Sequence, residues 1–205
     1  MTYDTLATTD VISATMKALT ERGFLPEVVP TGAEALARIK EIIPAGASVM
    51  NGSSRTLSEV GFVDYLKEGA HGWNNLHEGI VAEKDPAKQQ QLRRQATLSE
   101  YFLVSVHALA QTGELVIASN SGSQLPHLAF TSPHLILVVG AQKITPDLGT
   151  ALQRLNEYVL PLEDVRMKEV GMGGSFISKI LILNREQAFM GRKVHVLIVN
   201  EKLGF

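Results

Sequence analysis

The sequence contains no cysteine among its 205 residues. This absence excludes disulfide bonds, cysteine nucleophiles, and zinc or iron–sulfur sites that are built on thiolates. The histidines are His71, His77, His107, His127, His134 and His195. No two of them lie four residues apart on a predicted helix, and no aspartate or glutamate completes a recognisable metal signature. The sequence therefore predicts no metal site, and it names no cofactor.

The chain also lacks a strong net charge and a long apolar run. Its net charge of −2 provides no basic surface for nucleic acid or for an anionic membrane. The longest apolar runs, "HLILVVGA" and "VHVLIVN", are too short to span a bilayer and are typical of buried strands. The first residues have neither the basic nor the apolar part of a secretory signal. We therefore expect a cytoplasmic protein with no nucleic-acid or membrane partner.

Helix and strand patterns alternate along most of the chain. This alternation predicts an α/β fold, with a mostly parallel open sheet that is covered by helices on both faces. The length suits one large domain, and no repeat or linker divides it. We therefore predict a single domain over residues 1–205, in which residues 1–30 supply an N-terminal helix and strand.

The last forty residues have a different pattern. The segments "ISKILIL" and "KVHVLIV" are predicted strands, and only "NREQAFMGR" separates them. Nine residues are too few for a crossover helix, so the spacing predicts that these two strands pair antiparallel at the end of the fold.

Three loops follow predicted strands and are candidates for a binding site: the first covers residues 51–54, the second residues 119–124 and the third residues 140–143. In open α/β sheets, ligands collect at the carboxyl ends of the strands, where glycine admits a close approach to the backbone and hydroxyls donate hydrogen bonds. Thr56 and Glu59 have the spacing of a capping box, so a helix is expected directly after the first loop. The candidate ligand-binding residues are Asn51, Gly52, Ser53, Ser54, Ser119, Asn120, Ser121, Gly122, Gly140 and Lys143, with Lys143 as the compensating cation. These residue types favour an anionic ligand.

The same residue types have a second interpretation. Glycine, serine and asparagine are also the ordinary residues of any turn from strand to helix. No Walker or Rossmann motif supports nucleotide binding, and "GMGGS" at residues 171–175 is typical of a flexible turn. His71 and His77 flank the only tryptophan on an irregular segment and are the histidines that could reach a ligand. The sequence assigns no catalytic residue.

Four segments of the chain together resemble the lactate-utilisation (LUD) domain family. They are "PAGASVMNGSSRTLSEVGF", "RRQATLSEYFLVSVHALAQTGELV", "LILVVGAQKITPDLGTALQRL" and "GRKVHVLIVNEKLGF". The resemblance runs from about Thr31 to the C-terminus. It implies the fold that sugar-phosphate isomerases and CoA transferases share, in which ligands bind at strand-end loops.

The chain departs from that family in two places. Many relatives carry a cysteine-rich segment before the last strands, where this chain reads "VGMGGSFISKILIL". Others carry a Gly-Pro-Ser-Arg/Lys-Thr-Ala-Asp-Ile-Glu stretch that is also missing. The loop "ASNSGSQ" contains no carboxylate, whereas CoA transferases need a glutamate nucleophile there, so the sequence predicts that the protein is not a CoA transferase.

Together these features predict a protein that binds a small anionic metabolite, either an organic acid or a phosphorylated compound. The resemblance implies a component of lactate or organic-acid utilisation, and the alternative is a non-catalytic sensor or accessory subunit with the same pocket. The sequence leaves open whether the partner is a second copy of the chain or another subunit of a metabolic complex.

Overall fold

The largest element of the fold is a six-stranded sheet in which every strand is parallel to its neighbours. The structure, a computed structural model, describes residues 3–205, except for the side chain of residue 188. In spatial order the strands are β1 (Leu25–Val29), β10 (Lys193–Val199), β7 (His134–Gly140), β4 (Tyr101–Val104), β2 (Ser48–Asn51) and β3 (Asn74–Asn75). This sheet confirms the predicted α/β class.

The apolar runs of the sequence form the central strands of this sheet. Six of the seven residues of β7 are buried, and five of the seven residues of β10 are buried. Strands that are buried on both faces read as continuous apolar runs rather than as alternating ones. Two clusters of buried side chains lie on the two faces, one around Phe62 and Trp73 and the other around Phe24 and Phe102.

The helices begin and end where side chains cap them. Thr31 accepts a hydrogen bond from the backbone N–H of Glu34. The helix after the first loop is capped by Ser54 and not by Thr56. Gly61, with a φ of +80°, then divides the predicted helix in two. The α-helices are α1 (Thr9–Glu21), α2 (Gly32–Ile42), α3 (Arg55–Glu59), α4 (Phe62–Glu68), α5 (Leu76–Ala82), α6 (Pro86–Gln95), α7 (Leu148–Arg154) and α8 (Leu160–Glu169). A turn of π-helix, Leu155–Val159, joins α7 to α8.

A second, mixed sheet packs beside the first. Its spatial order is β8 (Ile144–Thr145), β5 (Ala108–Ala110), β6 (Leu115–Ser119) and β9 (Lys179–Leu183). The segment "HALAQTG", which is helical by its sequence pattern, supplies β5 and a tight turn instead. The alanines of β5 and β6 pack against the helix that contains α7 and the π-turn, which forms a third cluster of buried side chains.

The predicted antiparallel pair at the end of the chain is wrong. β9 pairs antiparallel with β6 in the mixed sheet, while β10 lies between β1 and β7 in the parallel sheet. The connection between them does not turn back as a hairpin but crosses from one sheet to the other. Arg22 and Arg192 hold it there, because Arg22 donates to the carbonyl of Asn184 and Arg192 forms an ion pair with Glu186.

Candidate functional site

A cavity of about 510 Å³ opens at the carboxyl edge of the parallel sheet. The ends of β2 and β4 form its floor together with the end of β6 from the mixed sheet. α5 and α6 border it on one side, and α8 with the segment after it borders the other. Its volume lies within the range of small-molecule sites in proteins.

Eight of the ten predicted ligand-binding residues border this cavity. They are Asn51, Gly52, Ser53, Ser54, Ser119, Asn120, Ser121 and Lys143. The first two loops touch, because a Cβ atom built on Gly52 would lie only 2.7 Å from Oε1 of Gln124. The fold therefore brings the three predicted loops together at one cavity, although their role in binding stays a prediction.

Gly122 and Gly140 do not border the cavity. Gly122 has a φ of +85° and donates its N–H to the Ser119 hydroxyl at 2.9 Å, so it shapes the turn. A Cβ on Gly140 would meet Oε1 of Gln142 and the backbone of residues 201–203. Close packing and turn geometry account for both glycines, and their predicted role in binding stays a prediction.

Several of the cavity hydroxyls already serve the turns that carry them. Ser54 caps α3 by accepting from the N–H of Leu57 at 3.3 Å, and the hydroxyls of Ser121 and Ser123 lie 3.0 Å apart. The interpretation of these loops as turns is therefore correct for part of each loop. Whether the loops also bind an anion depends on the charged side chains around them.

Lys143 lies at the end of β7 and is only 3% exposed. Its Nζ donates to the Thr56 hydroxyl at 2.9 Å, to the Ser105 hydroxyl at 3.0 Å and to the Val106 carbonyl at 3.3 Å. Burial, followed by the positive charge of Arg154, lowers its pKa from 10.5 to about 7. Lys143 therefore has a proton that it can exchange at neutral pH.

Arg154 is a second buried cation behind the cavity. It is fully buried and donates through Nη1 to the carbonyl of His107 at 2.5 Å, while its Nε has no partner among the described residues. Neither Arg154 nor Lys143 forms a salt bridge in the part of the chain that the structure describes. Lys143 therefore brings a positive charge to the cavity wall without an ion pair, and Arg154 lies outside the cavity lining.

His107 borders the cavity between these two cations. Its Nδ1 accepts a hydrogen bond from the N–H of Ala118 at 3.1 Å, so the neutral ring carries its proton on Nε2. Burial, with the charges of Lys143 and Arg154, lowers its pKa to about 3. His107 is therefore a neutral hydrogen-bond donor at neutral pH.

His127 reaches the cavity from the π-helical turn at His127–Thr131. Its ring stacks on Phe102 with centroids 4.0 Å apart, and its Nδ1 lies 3.0 Å from the hydroxyl of Ser132 and 3.3 Å from that of Ser99. Burial lowers its pKa to about 4, so this ring is neutral as well.

Arginines outnumber carboxylates around the cavity. Arg55, Arg93 and Arg166 border it, and among the described residues only Glu163 brings a carboxylate to its wall. Glu163 is engaged by Arg166 in two hydrogen bonds of 2.7 and 2.6 Å. Arg55 is also paired, with Glu59 at 2.7 Å, so the excess positive charge at the cavity comes from Arg93 and Lys143.

Asn51 adds an acceptor to this positive wall. Its side-chain Oδ1 is buried and has no hydrogen-bond partner among the described residues, and only 8% of the residue is exposed. An unpaired buried carbonyl costs about 1–3 kcal/mol, which a hydroxyl of a bound molecule would recover.

Of the two histidines singled out in the sequence, His77 borders the cavity and His71 does not. The Nδ1 of His71 accepts the N–H of Trp73, and its ring stacks on the indole at 5.3 Å. Partial desolvation, and then the charge of nearby Arg93, lower the pKa of His77. His71 is therefore structural, and His77 belongs with Arg93 at the cavity mouth.

The sequence interpretation did not select His107, His127, Arg93 or Arg166. None lies in a motif, and the elements that carry them meet only in the folded chain. Within residues 3–205 no group of three or more histidine, aspartate or glutamate side chains could hold a metal ion. No described helix is both long and apolar enough to cross a membrane.

Comparison with known proteins agrees with this architecture. A solved structure of a DUF162 family protein from Deinococcus radiodurans superposes with a TM-score of 0.52 and 10% identity, over 96% of this chain and 100% of that one. That likeness shows the fold alone. No curated protein matches the sequence. The sequence matches the LUD domain family over residues 12–199, and the chain therefore belongs to the LUD domain family.

Proposed function

We propose that this protein binds a small organic anion, a carboxylate or a phosphorylated compound, in the cavity at the carboxyl edge of the parallel sheet. The observation that carries the proposal is the buried ammonium group of Lys143, which borders the cavity and forms no salt bridge in the described chain. Removing an ammonium or guanidinium group from water costs several kcal/mol per ion. A bound anion would offset that cost.

The surrounding groups supply directional contacts for such an anion. The ring Nε2–H of His107 donates, as do the serine hydroxyls, and Asn51 Oδ1 accepts. Arg93 has no salt bridge among the described residues and is exposed at the mouth, where it would attract an anion from solution.

Membership of the LUD family supports a role in the use of lactate or another organic acid. Under this role Lys143 would give or take a proton at the bound acid, because a general acid or base works best with a pKa near the operating pH. His107 would stay neutral and hold an oxygen of the ligand by donating to it.

A non-catalytic sensor or accessory subunit is the second candidate. It is favoured by the hydrogen bonding of Lys143, whose three donated bonds all go to protein acceptors. Such a lysine contributes charge to the cavity while its protons are held in place.

The experiment is a thermal-shift screen of organic acids, sugar phosphates and CoA esters, followed by calorimetry on whatever binds. Lys143→Ala should weaken the binding of that anion by roughly tenfold or more, because a charge-assisted hydrogen bond contributes about 1.5–3 kcal/mol. Lys17→Ala is the matched control, since the Lys17 side chain is 80% exposed.

Circular dichroism on both variants separates lost binding from lost folding. Equal affinity in wild type and a folded Lys143→Ala would contradict the proposal. Incubation of each bound acid with the protein, followed by NMR, then distinguishes the two candidates: turnover that Lys143→Ala removes indicates an enzyme, and unchanged ligand indicates a sensor.

A further inference from the structure

Part of the mouth of the cavity is apolar, although Arg93 and His77 border the same mouth. Five apolar side chains border it from three separate segments: Ile80 and Val81 from α5, Met167 from α8, and Met172 and Phe176 from the chain that follows α8. Val81 is 64% exposed, and Met172 and Phe176 are each 69% exposed.

Single exposed apolar residues are ordinary on a protein surface. Several exposed apolar residues at the mouth of one cavity are unusual, because a contiguous exposed apolar surface marks a binding site. Methionine adapts its shape to a partner at small cost, which suits a surface that is covered only when a ligand is present.

The segment after α8 is held in position by specific hydrogen bonds. The N–H of Met172 donates to the carbonyl of Met167 at 2.9 Å, and Gly171 between them has a φ of +75°, which together end α8 in a Schellman motif. Further along, the N–H of Ser175 donates to the Asp164 carboxylate at 2.9 Å. Backbone bonds therefore keep Met172 and Phe176 at the cavity although their side chains are exposed.

The volume of the cavity exceeds what a short acid needs. A volume of about 510 Å³ lies within the range of about 300–1,000 Å³ for sites that take drug-sized ligands, which are several times larger than an acid of roughly six non-hydrogen atoms. A ligand that fills the site must reach from the polar floor to the apolar mouth.

We propose that the ligand is a two-part molecule, an organic acid or phosphate monoester whose anionic head lies at the polar floor and whose acyl or aryl group lies against Val81, Met172 and Phe176. This inference rests on the proposed function, because it uses the same cavity and the same anionic head. It adds the chemical class of the remainder of the ligand.

The test is a homologous series with a constant head group. Methyl, butyl and hexyl phosphate form one series, and acetate and hexanoate form another, so that the two possible heads are separated. Dissociation constants are measured by calorimetry or ligand-observed NMR on the full chain. In the series whose head group binds the protein, we expect the longest member to bind at least about tenfold more tightly than the shortest. The reason is that each methylene group buried against the protein adds to the free energy of binding.

The double variant Met172→Ser/Phe176→Ser locates the apolar group. In this variant the longest and the shortest member of the series should bind with affinities that differ by no more than about twofold. Phe189→Ser is the matched control, because Phe189 is 83% exposed and does not border the cavity. The control should keep the full ratio.

The outcomes separate the two proposals. Binding of methyl phosphate or acetate without any dependence on chain length would overturn the two-part ligand and leave the anion site intact. A chain-length dependence that survives in the double variant would overturn the assignment to Met172 and Phe176. If no member of either series binds, the anion site itself is overturned, and the two-part ligand with it.

Discussion

A buried lysine without a carboxylate partner is costly to the fold, because removing an ammonium group from water costs several kcal/mol. Lys143 offsets part of that cost with three hydrogen bonds and part by a lowered pKa of about 7. A protein under selection for stability alone would be better served by an apolar side chain at this position. Retention of the charge fits a site that uses it.

The first prediction concerns the pH dependence of stability. Between about pH 7 and pH 10 the unfolded chain keeps Lys143 protonated while the folded chain releases the proton. The unfolded state then binds more protons, so the contribution of Lys143 to the free energy of unfolding rises with pH across this window. Relative to Lys143→Met, wild type should gain up to about 1.4 kcal/mol per pH unit.

Urea unfolding of wild type and Lys143→Met at pH 7, 8 and 9 measures this difference. The other titratable groups cancel when the variant is subtracted. Lys17→Met, at an exposed position, should show no change in slope. A difference between wild type and Lys143→Met that stays constant with pH would mean that Lys143 keeps its proton in the fold.

The second residue-scale prediction concerns the contact between the first two loops. Gly52→Ala would place a Cβ 2.7 Å from Oε1 of Gln124 and 2.8 Å from Cγ2 of Val104. The Gln124 side chain must then leave its hydrogen bond to the Ala118 carbonyl and the Val104 side chain must shift, which should destabilise the fold by about 1–3 kcal/mol and weaken anion binding. Denaturant unfolding and calorimetry measure the two effects.

Gly79→Ala is the matched control for that substitution. Gly79 lies within α5, and a Cβ there would meet nothing within 4 Å. This change should stabilise the fold by roughly 0.5–1 kcal/mol through helix propensity. Equal stability of the two alanine variants would show that the loops are not in close contact.

At the scale of elements, the connection from β9 to β10 decides how the two sheets are joined. Arg192 is central to it, because its guanidinium donates to the carbonyls of His127, Leu128, Ala129 and Ser132 and forms an ion pair with Glu186. The side chain is 9% exposed. It thereby ties the start of β10 to the π-turn that carries His127 into the cavity.

Arg192→Met should therefore destabilise the protein by roughly 3 kcal/mol or more, because four carbonyls and one carboxylate lose their donor together. The His127 ring should also lose its fixed position, which its NMR signals would report. Arg185→Met is the control, since Arg185 is exposed and has no side-chain partner among the described residues. A loss of stability no larger than that of the control would show that the connection is held by its backbone alone.

At the scale of the whole molecule, the fold separates the carboxylates from the cavity. Glu114 lies at the start of β6 and pairs with Arg22 at 2.6 Å, whereas the loop that borders the cavity follows the other end of that strand. Glu163 reaches the cavity wall but is held by Arg166. The described chain therefore presents no free carboxylate to a ligand.

We accordingly predict that the protein forms no acyl intermediate with CoA esters, because a carboxylate nucleophile must come within about 3–3.5 Å of the reacting carbonyl. Incubation with an acyl-CoA and an acceptor acid, borohydride trapping and mass spectrometry should show unmodified protein. Glu163→Gln is the control that identifies any adduct at the cavity. A glutamyl adduct in wild type that is missing from Glu163→Gln would contradict the prediction and make Glu163 a nucleophile.

The amino-acid sequence by itself determined the α/β class, the buried parallel strands and the three loops that meet at the cavity. These features follow from local signals, since apolar runs, capping residues and glycine-rich turns act within a few residues of one another. Strand-end loops of a parallel sheet also share one edge by geometry, which is why Asn51 and Lys143 could be grouped before any coordinates were known. Ser119 ends β6 of the mixed sheet, so it reaches the same cavity through the packing of the two sheets and not through that geometry.

Only the tertiary structure decided which sheet each of the last two strands joins, and which cations surround the cavity. β9 and β10 are both apolar strands, so their sequences do not say which strand each one pairs with. β9 pairs with β6 and β10 lies between β1 and β7, and these positions depend on how well each strand packs against its neighbours in the folded chain. His107, Lys143 and Arg154 are separated in sequence and acquire their electrostatic setting from one another, since burial and neighbouring charge set a pKa. That setting, and not a motif, is the basis for the proposal that the cavity binds an anion.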